Sequence, residues 1–248
     1  MNKEAVLFHI PHASAVIPEA FSGDFLVDLT ENIRHMTDWY TDELFDFGFG
    51  ERIVFPVSRL VCDPERFRED SEESMAGIGM GAVYTHGFDL RRIRETSAER
   101  REEILREFYD PHHQRLEEKT KTVLMRYGTC LIADCHSFSP IPLPYEKDPL
   151  RPDICIGTDG FHTPEWLSGG LAEAFRLAGY TVVLNRPFAG TMVPLSYYGK
   201  DPRVLSVMIE VNRGLYLTKD GRKNRDFSEI SGLLRRVLLS AVLQRKPG

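Results

Sequence analysis

Short, continuous apolar runs punctuate this chain, separated by longer stretches in which apolar positions recur every three or four residues. The runs are 5–10, 52–56, 129–135, 153–156, 181–184 and 204–211. Unbroken apolar character over four to eight residues predicts strands buried on both faces, as in parallel sheets. Between the runs, Thr30 to Phe47 carries Ile33, Met36, Tyr40, Leu44 and Phe47 at helical spacing. This predicts one helix, ended by Gly48 and Gly50. Thr96-Ser97-Ala98-Glu99 has the form of a capping box and predicts a long charged helix to Tyr127, with Pro111 as a kink and Gly128 as its stop. Thr163-Pro164-Glu165 places an N-cap and an N1 proline before a helix reaching Ala178. A closing helix over 227–243 presents Ile230, Leu233, Leu234, Val237, Leu238 and Val242 on one face. Cys62 to Tyr84 is polar and glycine-rich and predicts a long irregular excursion; the proline-dense 139–152 predicts a loop. The β–α alternation predicts an α/β fold with helices on both faces of a mostly parallel sheet, forming a single domain over 1–248.

Composition narrows the functional classes. A formal net charge of −6 argues against a duplex nucleic-acid partner, which requires a basic face. The four cysteines, Cys62, Cys130, Cys135 and Cys155, lie in or beside apolar runs without a CxxC spacing, so they predict buried thiols in a reducing compartment. Residues 1–10 are too short for a signal sequence, and no apolar run approaches the roughly 20 residues needed to span a bilayer. These features predict a soluble, cytoplasmic protein with no membrane and no nucleic-acid partner.

Candidate chemistry sits at the strand ends, where ligands bind in open α/β sheets. Leu131-Ile132-Ala133 runs straight into Asp134-Cys135-His136-Ser137. His12 follows the first strand, Asn185 and Arg186 follow the fifth, and Glu210 interrupts the apolar sixth. A carboxylate in such a run is costly unless paired, so Glu210 has either a cationic partner such as Arg213 or a role at the cleft. Two histidines and one carboxylate with an open position are the usual ligands of a catalytic zinc. His12 and His136 supply the nitrogens; Asp38 is the candidate oxygen ligand, with Glu19 and Asp42 as alternatives. Alternation puts Asp134 on the same face as His136, where it would orient a ligand imidazole. Cys135 points the other way, as a packing thiol. There is no HExxH segment. Glu210 suits the role of base toward a metal-activated water. Arg59 and Arg66, just after the second strand, are candidates for an anionic substrate. His9 is expected to be a satisfied core histidine, and His112 and His113 to face solvent or pack. A Ser14 or Ser137 nucleophile ranks below the metal because no G-x-S-x-G elbow occurs.

Taken in order, these segments resemble the N-formylglutamate amidohydrolase family. The matching pieces are Ile10-Pro11-His12-Ala13-Ser14, Thr37-Asp38-Trp39-Tyr40, Ser58-Arg59 with Asp63 and Arg66, and Asp134-Cys135-His136-Ser137. They continue with Asp153-Ile154-Cys155-Ile156-Gly157-Thr158, Asn185-Arg186-Pro187-Phe188-Ala189-Gly190, Tyr197-Tyr198-Gly199 and Ile209-Glu210. The resemblance implies a three-layer αβα sandwich of the phosphorylase/hydrolase type, related to zinc carboxypeptidases. It implies cleavage of an N-formyl amino acid such as N-formyl-L-glutamate to formate and the free amino acid, as in histidine degradation. It also implies roles: His12, Asp38 and His136 as ligands of zinc or another divalent metal, and Glu210 as general base, with Arg66 beside it in catalysis. Arg59, Arg186, Asn185 and Ser137 would bind substrate. The expected partner is a small anionic N-acyl amino acid, and the expected assembly a monomer or small homo-oligomer.

Two positions depart from the family pattern. Ala15 stands where a carboxypeptidase-type His-x-x-Glu pair would place its glutamate, and Glu65-Arg66 stands where the family has Asn-Arg. The second departure bears on substrate choice. It keeps in view a related amidohydrolase or carboxypeptidase acting on another N-acyl amino acid or a short peptide, and a non-catalytic carboxylate-binding relative.

Overall fold

A computed structural model describes residues 1–244. Its strands are β1 (Val6–Ile10), β2 (Glu51–Val54), β3 (Cys130–Phe138), β4 (Ile154–Gly157), β5 (Val182–Leu184) and β6 (Val204–Asn212). They form one six-stranded sheet in the order β2-β1-β3-β6-β4-β5. β2, β1, β3 and β6 run parallel; β4 lies antiparallel to β6, and β5 parallel to β4. The helices are α1 (Glu19–Ser22), α2 (Thr30–Met36), α3 (Thr41–Leu44), α4 (Ala98–Ile104), α5 (Asp110–Tyr127), α6 (Glu165–Leu177) and α7 (Phe227–Gln244). No helix among the described residues is long and apolar enough to cross a membrane.

The pleat sorts the strand residues into two layers. Val6, Phe8 and Ile10 of β1, Leu131, Ala133 and Cys135 of β3, and Leu205, Val207 and Ile209 of β6 face α6 and α7 in the main core. Leu7, Ile132 and Val204 face the other way, onto Leu116, Val123 and Leu124 of α5. Each fully buried aliphatic chain of this kind contributes roughly 1.5–3 kcal/mol. Toward the carboxyl ends of the strands the α5 face turns polar. His9, Asp134, His136 and Glu210 follow the apolar positions there, and all are buried. The predicted excursion supplies the wall opposite them. Its residues join α1, the α4–α5 helix and the segment just after β2 in two further clusters, built around Phe21, Phe55 and Val61 and around Leu60, Tyr84 and Ile93.

Two predicted helices differ in ways that shape the site. The helix expected over Thr30–Phe47 is α2 and α3, broken by an extended Thr37 (ψ 135°) and a left-handed Tyr40 (φ 62°). Its apolar periodicity misleads because Ile33 and Met36 pack in one cluster while Leu44, Phe45 and Phe47 pack in another. The break lets the Asp38 N–H donate to the His12 carbonyl at 2.9 Å. The long charged helix is capped by Ser97, whose Oγ accepts from the Arg100 N–H. It passes through a π turn at Leu105–Tyr109 before continuing as α5. The wider turn accommodates Pro111, which lacks an N–H, and turns His112 inward to 5% exposure.

Candidate metal centre

His12 leaves β1 just after Pro11, and His136 lies near the end of β3. Their ring centroids are 5.1 Å apart. Asp38 Oδ2 lies 3.2 Å from His136 Nδ1 and 3.7 Å from His12 Nδ1, and also accepts the Ser137 N–H at 3.2 Å. The donor atoms of all three side chains fall within 4.8 Å of one another. Burial raises the Asp38 carboxyl, but hydrogen bonding and charge from the two imidazoles outweigh it and hold Asp38 well below the carboxylate range.

The outer nitrogens of both imidazoles face carboxylates. His12 Nε2 donates to Asp63 Oδ1 at 2.8 Å. Asp63 also receives Arg59 Nη2 at 2.8 Å, the Tyr84 hydroxyl at 2.7 Å and the Glu65 N–H at 3.0 Å. Burial would raise this carboxyl; Arg59 and His12 overcome that and hold it ionised. His136 Nε2 donates to Asp134 Oδ1 at 3.2 Å and stands 3.0 Å from Glu65 Oε2. A carboxylate behind each imidazole fixes its tautomer and aims the opposite nitrogen inward. The inward Nδ1 of His12 is buried and has no hydrogen-bond partner. An orphaned buried acceptor beside an ionised carboxylate and a second imidazole is what a cation ligand looks like before the cation is added. The donor set therefore fits a divalent metal.

Glu210 sits opposite His136 in the β3–β6 register. Its Oε2 has no hydrogen-bond partner, and among the described residues no ion pair reaches it. Burial pushes its carboxyl up to about 8, reinforced by Asp38 and Glu65 and opposed by His136 and Arg213. Arg213 lines the same chamber, with Nη1 donating to the His35 carbonyl, and is not a direct partner of Glu210. The chamber holds about 570 Å³. Arg59, Arg66 and Arg213 all line it, and each keeps a buried Nε without a hydrogen-bond partner. Its wall thus offers several directed N–H groups to an anion.

The sequence pattern of N-formylglutamate amidohydrolases matches residues 4–217. This chain belongs to the N-formylglutamate amidohydrolase family. It thus falls among amide-hydrolysing enzymes. Two solved structures share the fold. An N-formylglutamate amidohydrolase from Ralstonia eutropha JMP134 is 21% identical, with a TM-score of 0.81 over 98% of this chain and 95% of that one. A gene product from Agrobacterium tumefaciens is 20% identical, with a TM-score of 0.72 over 97% and 91%. A search of curated proteins returns no significant match.

For this member of the N-formylglutamate amidohydrolase family, the geometry sorts the residues singled out in the sequence. His12, Asp38, His136, Ser137, Arg59, Arg66 and Glu210 all line one chamber. Among the described residues two groups could hold a cation, His12, Asp38 and His136, and His9, Glu65 and Asp134; Glu19 and Asp42 belong to neither. Asn185 and Arg186 are absent from the chamber wall, contrary to expectation. Asn185, at φ 56°, bonds Thr158 through both ends of its amide. Arg186 is 64% exposed and pairs with Asp148 at 2.8 Å. β5 runs opposite to β3 and β6, so its carboxyl end leaves the sheet at the far rim; the chain then returns, and Phe188 and Ala189 reach the chamber instead. In the sequence, Asp63 enters only as part of a matching segment, Glu65 only as a departure bearing on substrate choice and Arg213 only as a possible partner of Glu210. Asp63 and Glu65 carried a signal, since both stand among the arginines that follow β2.

Proposed function

We propose that this chain is a zinc-dependent hydrolase that releases formate from N-formyl amino acids, with N-formyl-L-glutamate as the reference substrate. The supporting observation is the convergence of His12 Nδ1, Asp38 and His136 Nδ1 in one buried cluster beside an unpaired Glu210. These three side chains would hold the metal, which would acidify a water and polarise the formyl carbonyl. Glu210 accepts the proton of the attacking water and returns it to the departing amine. Burial and the lack of a partner raise its proton affinity above that of an exposed carboxylate, which suits a group that takes a proton and then returns it. Asp63 and Asp134 keep the two imidazoles aimed. Arg59, Arg66 and Arg213 grip the substrate's carboxylates and orient the amide toward Glu210.

Glu65 favours a second reading of the substrate. Its carboxylate lines the chamber wall, at the position where the family resemblance implies a neutral asparagine, and it disfavours a side-chain carboxylate near it by like-charge repulsion. An N-acyl amino acid with a neutral or cationic side chain fits that wall better. A panel of N-formyl-glutamate, -methionine and -lysine, with N-acetyl counterparts, assayed by formate or acetate release, decides between the two. Release of formate from none of the N-formyl acids by zinc-loaded protein overturns the deformylase assignment.

A further inference from the structure

Behind the metal cluster, a line of buried polar side chains continues away from His136. Asp134 Oδ1 accepts from His136 Nε2 at 3.2 Å and from His9 Nδ1 at 2.8 Å, and Oδ2 accepts the Met192 N–H at 2.9 Å. His9 Nε2 in turn lies 2.8 Å from His112 Nε2. All four side chains are buried; His9 has no exposed surface and His112 keeps 5%. Three elements contribute: β1 brings His9, β3 brings Asp134 and His136, and α5 brings His112 just after the π turn.

We propose that His9 and His112 are positioning residues for His136, acting on it through Asp134. The inference rests on the metal reading above, in which His136 is a ligand. Two ring nitrogens 2.8 Å apart share one proton, so one donates and the other accepts. An ionised carboxylate only accepts, so the His9 proton sits on Nδ1, facing Asp134. His9 Nε2 is then the acceptor and His112 Nε2–H the donor. Burial holds the His112 ring neutral, which leaves it one N–H to give. Donors therefore converge on Asp134 from both sides, from His112 through His9 and from His136 directly. A cation at Nδ1, which also lies 3.2 Å from the ionised Asp38 Oδ2, would leave His136 its one proton on Nε2, facing Asp134. Glu65 Oε2, 3.0 Å from the same Nε2, is the competing acceptor. Without His9 and His112 to pin Asp134, the His136 proton is free to turn to Glu65 and the ring loses its aim.

Two measurements on zinc-loaded protein test this. Long-range proton–nitrogen NMR of the unmutated chain is expected to show His112 protonated on Nε2, His9 on Nδ1 alone and His136 on Nε2. Any other pattern at His9 or His112 overturns the relay. The zinc dissociation constant, read by chelator competition, is expected to weaken about 10- to 100-fold in His112→Leu. It is expected to stay within about threefold in His112→Gln, whose amide N–H reaches the place of Nε2. A folded His112→Leu that binds zinc as tightly as the parent overturns the proposal; if that variant does not fold, the spectrum of the unmutated chain decides. Zinc binding with a wrong proton pattern sinks the relay alone, whereas failure of the unmutated protein to bind zinc sinks the metal reading with it.

Discussion

His12 and His136 tilt toward each other with ring centroids 5.1 Å apart, each turning Nδ1 to the same Asp38 carboxylate and Nε2 to a different buried carboxylate. That relationship makes both imidazoles donors of the same kind. His12→Ala and His136→Ala are each expected to lose stoichiometric zinc after dialysis, measured by elemental analysis. Zinc at about 1,000 times its dissociation constant stabilises the parent by about 4 kcal/mol. The accompanying rise in melting temperature should vanish in both variants; a retained rise would place the ion elsewhere.

Glu210 is expected to separate binding from turnover. Glu210→Gln keeps the shape and removes the proton acceptor, so zinc content should match the parent while kcat falls by about 10²–10⁴. Unchanged kcat at saturating zinc and substrate would remove Glu210 from the proton path.

Asp63 collects four hydrogen bonds, from His12, Arg59, Tyr84 and the Glu65 N–H. Asp63→Asn leaves Arg59 buried against a neutral amide, and breaking such a pair costs about 3–5 kcal/mol. Denaturant unfolding should report that loss, and zinc affinity should fall about 10- to 100-fold as His12 loses its anchor. Arg186→Ala is the contrasting case. Its own side chain is 64% exposed and outside the chamber wall, although its partner Asp148 lines the chamber at 24% exposure, so kcat/KM should stay within about twofold of the parent.

Acid stability should follow the buried histidines of α5. Burial pushes His112 to about 2 and His113 to about 4, the latter while its Nε2–H donates to the Pro64 carbonyl at 2.8 Å. Both folded values lie below the unfolded value of about 6.5, so the unfolded chain binds more protons in that window. Their contribution is complete above about pH 6.5 and is lost as pH falls, toward about 4 for His113 and about 2 for His112, at up to about 1.4 kcal/mol per pH unit for each histidine. Urea titrations across this range should show the slope reduced by one proton in His113→Gln. An unchanged slope would mean that His113 does not titrate differently in the two states.

The residues legible in the sequence are those whose position follows from strand geometry. A polar residue at the carboxyl end of a buried parallel strand faces the cleft whatever the rest of the chain does, and this located His12, His136 and Glu210. Asn185 and Arg186 satisfied the same rule but follow a strand of the opposite sense, which a single apolar run does not reveal. Asp63, Glu65 and His112 come from the excursion and from beyond a π turn, where contacts depend on long-range packing rather than local period. The helix break at Thr37–Tyr40 was hidden for a related reason: the apolar spacing continues across it while the core being served changes.

A zinc titration of metal-stripped protein, followed by formate release from N-formyl-L-glutamate and from the N-formyl acid preferred in the panel, bears most directly on the central claim. Activity should be absent at the start, rise in proportion to zinc and level off at one equivalent. Formate release without added metal, or none at one equivalent with any N-formyl acid, would contradict it.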